Sequence, residues 1–364
     1  TGYQMLGFFD GASNGTKLWN NGGACLKDGK YWNASNQWVY AGNVDVYAQW
    51  QINRYTLTIT GDSGVESITG NGTYDYGTTV KATYKIKPGY HIRNTSGTPM
   101  NGGTDETWTN LAGKEGTLTD NWQIQTCNRN ISVHTEPNTY TVKYDGNGST
   151  GGSTANSNHT YDAVKALTAN GYTRTGYSFN GWNTKANGSG TAYADKASVK
   201  NLTTSNGATV TLYAQWTKNS YYLDLNGWLD GKSAGNITGY GTADIYVDGV
   251  QKANDVTDFY QKIPYGSKYE IKDIKTMTGH TYVGVHSGSI TGTIGTSNVG
   301  VVLEFKTNKY TVTFDKNNGT GTMTDQTFTY GVKQALTKNA FTRTGYTFTG
   351  WNTQADGKGT AYTD

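Results

Sequence analysis

Five histidines, His91, His134, His159, His280 and His286, are the side chains best suited to metal binding or to proton transfer near neutral pH. They lie in different segments or loops. None has a partner at the spacing of a zinc site, such as His-x-x-x-His or Cys-x-x-Cys. Only six glutamates occur, and no Asp/Glu pair recurs at a fixed place beside an acid or nucleophile, so no glycosidase-type carboxylate pair is indicated. "DGNGSTGG" from Asp145 and "DKNNGTG" from Asp315 have the outline of calcium loops but lack the alternating acidic ligands and terminal Glu of an EF-hand. Hairpin turns explain them better, because Gly and Asn tolerate positive φ. The sequence therefore predicts no catalytic residue, no metal site, no cofactor and no enzyme activity.

One aromatic constellation stands apart. Trp19, Tyr31, Trp32, Trp38 and Tyr40 crowd into a short insert, "LWNNGGACLKDGKYWNASNQWVY", and aromatic faces of this kind can stack on sugar rings. The alternation in "YWNASNQWVY" also describes an added hairpin with one packed face, which an enlarged loop needs for its own apolar cover. Packing is the first reading and glycan stacking the second.

Composition narrows the partners. The net charge is +3 and no run of five or six like charges appears, so neither a nucleic-acid footprint nor a polybasic membrane patch is indicated. No stretch approaches the roughly 18 apolar residues of a membrane span. The two cysteines, Cys25 and Cys127, fall in different segments and are expected to be buried small hydrophobes.

The elements that must position these residues are set by a repeat. "TRTGYSFNGWNTKANGSGTAYAD" from Thr173 returns as "TRTGYTFTGWNTQADGKGTAYTD" from Thr342, and Tyr161–Asp195 shares 22 of 35 positions with Tyr330–Asp364. "YTVKYDGNG" at Tyr140 matches "YTVTFDKNNG" at Tyr310. "LYAQW" closes at Trp216 and "VYAQW" at Trp50, and the opening "TGYQMLGFF" aligns with "TGYSFNGWN". Two segments of a second kind resemble each other through "YGTTVKATYKIKPGYHI" and "YGSKYEIKDIKTMTGHTYV". The expected order is a partial repeat at 1–50, a divergent one at 54–136, a complete one at 140–216, a divergent one at 220–307 and a partial one at 310–364. Four residues separate Trp50 from Tyr55, Trp216 from Tyr221 and Phe305 from Tyr310. So short a link, about 15 Å when extended, forces each last strand almost directly into the next first strand.

In "TVTLYAQW" Val210, Leu212, Ala214 and Trp216 share one face, a period of two that marks a half-buried strand. "YTVKY" and "YSFNG" alternate likewise. The core predicted from alternation is Tyr140, Val142, Tyr177, Phe179, Val210, Leu212 and Trp216, with Tyr310, Val312, Tyr346 and Phe348 in the later copy. Only "DAVKALTAN" and "GVKQALTKN" hint at helical spacing, and both are too short for a helix stable alone. The fold class expected is mainly β: an elongated tandem array of small β-grasp-like or β-sandwich-like repeats with at most one short helix each. Aromatic residues supply core where aliphatic ones are few.

"YTVTFDKNNG", "FTRTGYTFTGWNT", "ADGKGTAY" and "TVTLYAQW" together resemble the internalin B-repeat, or Listeria-Bacteroides repeat, family, over 1–50, 140–216 and 310–364. The divergent segments resemble its divergent branch but lack the GW that usually follows. The resemblance implies a β-grasp-like fold with a mixed, curled sheet, found in tandem on bacterial surface proteins, with no common catalytic or ligand-binding residues. Its recurrent residues, here Tyr177, Phe179, Trp182, Leu212 and Trp216, with Trp351 at the place of Trp182 in the later copy, are expected to be core. It implies an extracellular or cell-wall-attached location. The function expected is a non-catalytic stalk of a bacterial surface protein such as an adhesin, about 130 Å long if five compact modules follow one another. Neighbouring repeats would be its partners. The alternatives are a module that grips a glycan or host surface protein through the aromatic insert, and a filament subunit joined head to tail by strand addition. Truncation of a longer protein explains the ragged ends more simply than filament growth.

Overall fold

The computed structural model describes residues 2–97 and 111–364, and among these the chain consists of strands and turns with no helical segment. "DAVKALTAN" instead turns at Asp162, with φ of 61°, and supplies the two-residue strand Lys165–Ala166 paired with Ser198–Val199. Nine residues do not recover the cost of helix nucleation. Burial of Leu167 fixes the segment to the sheet layer. The chain divides into two compact units.

The first unit comprises Thr1–Asn147, Ser153–Gly171 and Gly181–Gln215. It opens with a three-stranded antiparallel sheet in which Tyr3–Phe9 lies between Lys17–Trp19 and Tyr47–Ile52. Next, Arg54–Gly61 pairs antiparallel with Gly72–Asp75 and parallel with Arg129–Pro137, which in turn takes Tyr90–Gly97 antiparallel. A second sheet orders Val65–Thr69, Thr79–Ile86 and Thr117–Gln123. In "TVKATYKI" every second residue, Val80, Ala82, Tyr84 and Ile86, is buried. These meet Leu57, Ile59, Ile131 and Val133 of the first sheet in one core. Trp122 completes it, and its Nε1–H donates to the Tyr84 hydroxyl at 2.9 Å. Burial pushes the Tyr84 phenol up to about 12, so it remains the neutral hydroxyl this contact needs.

In the stretch that follows, Thr139–Asp145 pairs antiparallel with Ser157–Thr160, and its residues 141–145 run parallel to 209–213 of Thr209–Lys218. Parallel and antiparallel neighbours on one strand make a mixed sheet. Tyr140, Val142, Tyr144, Leu212 and Ala214 are buried, as the period of two requires, and Trp182 packs on Tyr144 with ring centroids 4.8 Å apart.

The second unit comprises Gly148–Gly152, Tyr172–Asn180 and Trp216–Asp364. Ser220–Leu229 runs parallel to Val299–Thr307 and antiparallel to Phe259–Pro264, with His280–Ser287 on the far side of Val299–Thr307. A second sheet orders Val250–Val256, Gly241–Val247, Lys268–Thr276 and Thr291–Thr293. Leu223, Leu225, Val301, Leu303 and Phe305 face Ile245, Tyr269 and Ile271 between the two. Beyond Lys309, the strands are short pairs: Lys309–Val312 with Gln326–Thr329, and Trp351–Asn352 with Ala361–Tyr362.

Several expected core positions need correction. Tyr310, Tyr346 and Phe348 are exposed, and Val312 and Trp351 only half-buried. Among the described residues Lys309–Val312 pairs only with Gln326–Thr329, and no strand lies beside it as Thr209–Lys218 lies beside Thr139–Asp145. In the earlier copy Val210, Trp216, Tyr177 and Phe179 are half-buried rather than interior. Phe179 and Trp216 meet edge to face at 5.6 Å. The cysteines also differ from expectation: Cys25 is half-buried, Cys127 is exposed in the turn before Arg129–Pro137, and neither is in a disulfide.

Candidate functional site: the aromatic insert and the segment junctions

The insert folds as a hairpin because Asn33 and Asn36 can serve its turn. Asn33 Oδ1 accepts the backbone N–H groups of Ser35 and Gln37, and Asn36 takes φ of 61°. This brings Trp32 and Trp38 opposite each other across an antiparallel bridge, with ring centroids 5.2 Å apart. Trp19 meets Trp32 at 5.6 Å and stacks on Trp38 at 6.4 Å, while Tyr31 lies 4.9 Å from Tyr40 and 5.5 Å from Trp38. All five predicted rings are thus brought together, but mainly onto one another. Tyr31 is buried, Trp19 and Trp32 are half-buried, and only Trp38 and Tyr40, at 39% and 38%, are exposed.

The hairpin is pinned through Asp10, whose Oδ2 accepts from Tyr31 Oη at 2.5 Å and from Lys30 Nζ at 2.8 Å. These donors, Lys30 first, hold the carboxyl at about 2, below its ordinary 3.8. A depressed carboxyl contributes stability that is complete above the unfolded value and lost as pH falls through the folded one. Acidification from pH 4 to 2 should therefore loosen the insert and shift its tryptophan fluorescence to the red. Asp10→Asn should flatten that transition; an unchanged transition would show that Asp10 is not the pin.

The histidines act singly. His159 stacks on Tyr140 at 5.4 Å, His286 stacks on Trp228 at 4.0 Å, and His280 meets Tyr330 edge to face at 6.0 Å. Among the described residues no group of three His, Cys, Asp or Glu side chains converges as metal ligands would. In the two loops with a calcium-like outline, Asp145 and Asp315 Oδ1 instead accept the N–H of Asn147 and Asn317, closing turns at positive φ. The doubled phrase GWNT…GTAY has a local cause too. Asn183 Nδ2 donates to the carbonyls of Gly188 and Gly190, and its Oδ1 accepts the N–H groups of Lys185 and Gly190. Asn352 repeats these four bonds with Gly357, Gly359 and Gln354.

A recurrent device that sequence reasoning missed sits at the junctions. An asparagine stands two residues before each entry tyrosine: Asn53 before Tyr55, Asn138 before Tyr140, Asn219 before Tyr221 and Asn308 before Tyr310. Its N–H donates back to a glycine carbonyl, of Gly2, Gly89, Gly176 and Gly279 in turn, at 2.8–2.9 Å. Its own carbonyl accepts from a tyrosine N–H further along, of Tyr76, Tyr161, Tyr265 and Tyr330, at 2.7–2.9 Å. Each glycine has φ between 76° and 85°, and that same tyrosine ring lies where its Cβ would be. The residue after the glycine, Tyr3, Tyr90, Tyr177 or His280, meets the ring edge to face at 5.9–6.3 Å.

The side chain of the asparagine is held as well. Ser178 Oγ and Thr281 Oγ1 donate to Asn219 and Asn308 Oδ1 at 2.7 and 2.6 Å, and His91 Nδ1 lies 2.7 Å from Asn138 Oδ1. Tyr177, predicted as core, belongs to this device, with Arg174 lying 4.2 Å over its ring. The signal was present as the recurring Asn with a tyrosine 22 or 23 residues on at three of the four junctions, but the interval back to the glycine falls from 51 residues to 29 along the chain, which hides the device from a fixed-period comparison. Two such junctions lie in the first unit and two in the second.

A protein of Evansella cellulosilytica named as a Gly-rich membrane protein is 30% identical over 158 residues, covering 40% of this chain and 16% of its own length. A second membrane protein of that organism is 29% identical over 186 residues, 49% of this chain and 24% of its own. This chain thus spans less than a quarter of either relative. No helix among the described residues is long and apolar enough to cross a membrane. Among solved structures, the Bacillus anthracis TIE protein aligns at 11% identity and TM-score 0.32, covering 72% of this chain and 55% of that one. The pilus adhesin SpaC from Lactobacillus rhamnosus GG aligns at 10% identity and TM-score 0.21, over 74% and 46%. The doubled sentence itself has a family: residues 140–215 and 310–364 match the Listeria-Bacteroides repeat domain.

Proposed function

We propose that this chain is a non-catalytic spacer, a stalk segment of a bacterial cell-surface protein such as an adhesin, acting outside the cell. Its five segments, 1–50, 54–136, 140–216, 220–307 and 310–364, serve as modules whose partners are their own neighbours. The observation that carries this reading is the fourfold junction of glycine, asparagine and tyrosine. A bare four-residue linker limits distance, whereas two backbone hydrogen bonds and a ring contact at each crossing also limit angle. Such spending of sequence on crossings serves a chain whose task is to hold a distance.

The aromatic insert is read within this proposal as the private core of an enlarged hairpin, since its rings occupy one another's faces. Small-angle scattering tests the spacer directly. A 364-residue globule would have a radius of gyration of about 21 Å. The spacer should give a value well above this, and a value near it would sink the proposal.

A further inference from the structure

In each of three successive stretches the first strand and the last strand are adjacent and parallel. Leu57–Gly61 lies in register with Arg129–Val133, Thr141–Asp145 with Thr209–Tyr213, and Leu223–Leu229 with Val299–Phe305. The chain enters each stretch at the foot of one strand and leaves at the head of its neighbour. Tension between the chain ends therefore slides the two strands past each other. Their backbone hydrogen bonds are loaded together, and none can break ahead of the rest.

Side chains latch each pair at both ends. At the foot, Asn128, Asn206 and Asn298 Oδ1 accept the N–H groups of Thr56, Thr139 and Tyr222 at 2.8, 3.0 and 2.9 Å. At the head, Asp62 accepts both the N–H and the hydroxyl of Thr135, and Asp230 does the same for Thr307. In the middle stretch Asn147 Nδ2 donates to the Ala214 carbonyl at 2.8 Å. Latches placed on the pair that joins entrance to exit resist sliding, which a passive spacer does not need.

We propose that these three parallel pairs are mechanical clamps, so that the chain bears tension along its length. The inference rests on the spacer reading and adds load to it. Single-molecule stretching of the whole chain between terminal tags should show three separate rupture events. Each should release roughly 240–280 Å of contour, about 3.5 Å for each residue between the latched ends less the strand-length span of the folded stretch.

The decisive comparison changes the direction of pull. With Cys25→Ser and Cys127→Ser as background, handles on Thr139→Cys and Thr209→Cys load the middle pair from the same end of both strands, so that its bonds open one by one. Rupture there should need several-fold less force than the event assigned to that pair in end-to-end stretching. The same substituted protein, pulled from its ends, reports whether the fold is kept. Asp62→Ala and Asp230→Ala should each weaken one event and leave the other two unchanged. Equal rupture forces in the two directions, or insensitivity to both latch variants, would overturn the clamps. The spacer reading, which scattering tests, would survive that result.

Discussion

Trp182→Ala should destabilise the 139–215 stretch by about 3–5 kcal/mol, the range for removing a large aromatic from a closed core. Trp182 is fully buried and packs on Tyr144, itself buried on the strand Thr139–Asp145. Truncation would open a cavity beneath the parallel pair that ties the two ends of this stretch together. Trp351→Ala, the same position in the later copy, should cost clearly less. Trp351 has ring neighbours of its own, Phe314 at 4.8 Å and Phe348 at 4.9 Å, but it is half-buried and Phe348 is exposed. Hydrogen exchange at the amides of Thr209–Lys218 and Lys309–Val312 reads the two effects separately. Equal losses at both positions would mean that local packing of the loop, and not closure of the sheet, determines what this tryptophan contributes.

That contrast marks how far the sequence could be read. Period-two alternation placed Tyr140, Val142 and Leu212 on the buried face, because a residue that alternates on a strand and faces a sheet has little choice of side, whereas the buried Trp182 is out of step with Tyr177 and Phe179 and was legible only through the family resemblance. Alternation says which face a residue shares but not whether anything covers that face, so Tyr310, Tyr346 and Phe348 share the pattern of their counterparts and are exposed. The hint of helical spacing in "DAVKALTAN" gives no helix, within the expectation of at most one short helix per repeat, because a single buried leucine and a turn at Asp162 outweigh a weak local preference. The insert was legible as a hairpin but its pin was not, since Asp10 lies 21 residues from Tyr31 and no local pattern links them. Cys127 was misjudged because small, apolar character predicts burial only on average, and a turn residue sits outside that average.

The junctions were the least legible part, and they make the second large prediction. Gly176→Val should weaken the crossing at Asn219 by about 2–3 kcal/mol. One part is backbone strain: φ of 76° costs a residue with a Cβ about 1–2 kcal/mol, and a branched one is worse placed than most. The other part is the ring of Tyr265, whose atoms lie 2.2 Å from the added Cβ and must swing away. The edge-to-face contact with Tyr177 would go with it, worth about 0.5–1.5 kcal/mol beyond its buried area. Gly207→Val separates the two, because Gly207 has φ of 69° with no atom within 4 Å of its Cβ position. It should show the strain alone. Hydrogen exchange at the Asn219 and Tyr265 amides, which donate to the Gly176 and Asn219 carbonyls, should accelerate in Gly176→Val and stay slow in Gly207→Val. If both amides kept their protection in Gly176→Val, the ring and glycine would be neighbours without being a fastening, and the stiffness proposed for the chain would have to come from the linker length alone.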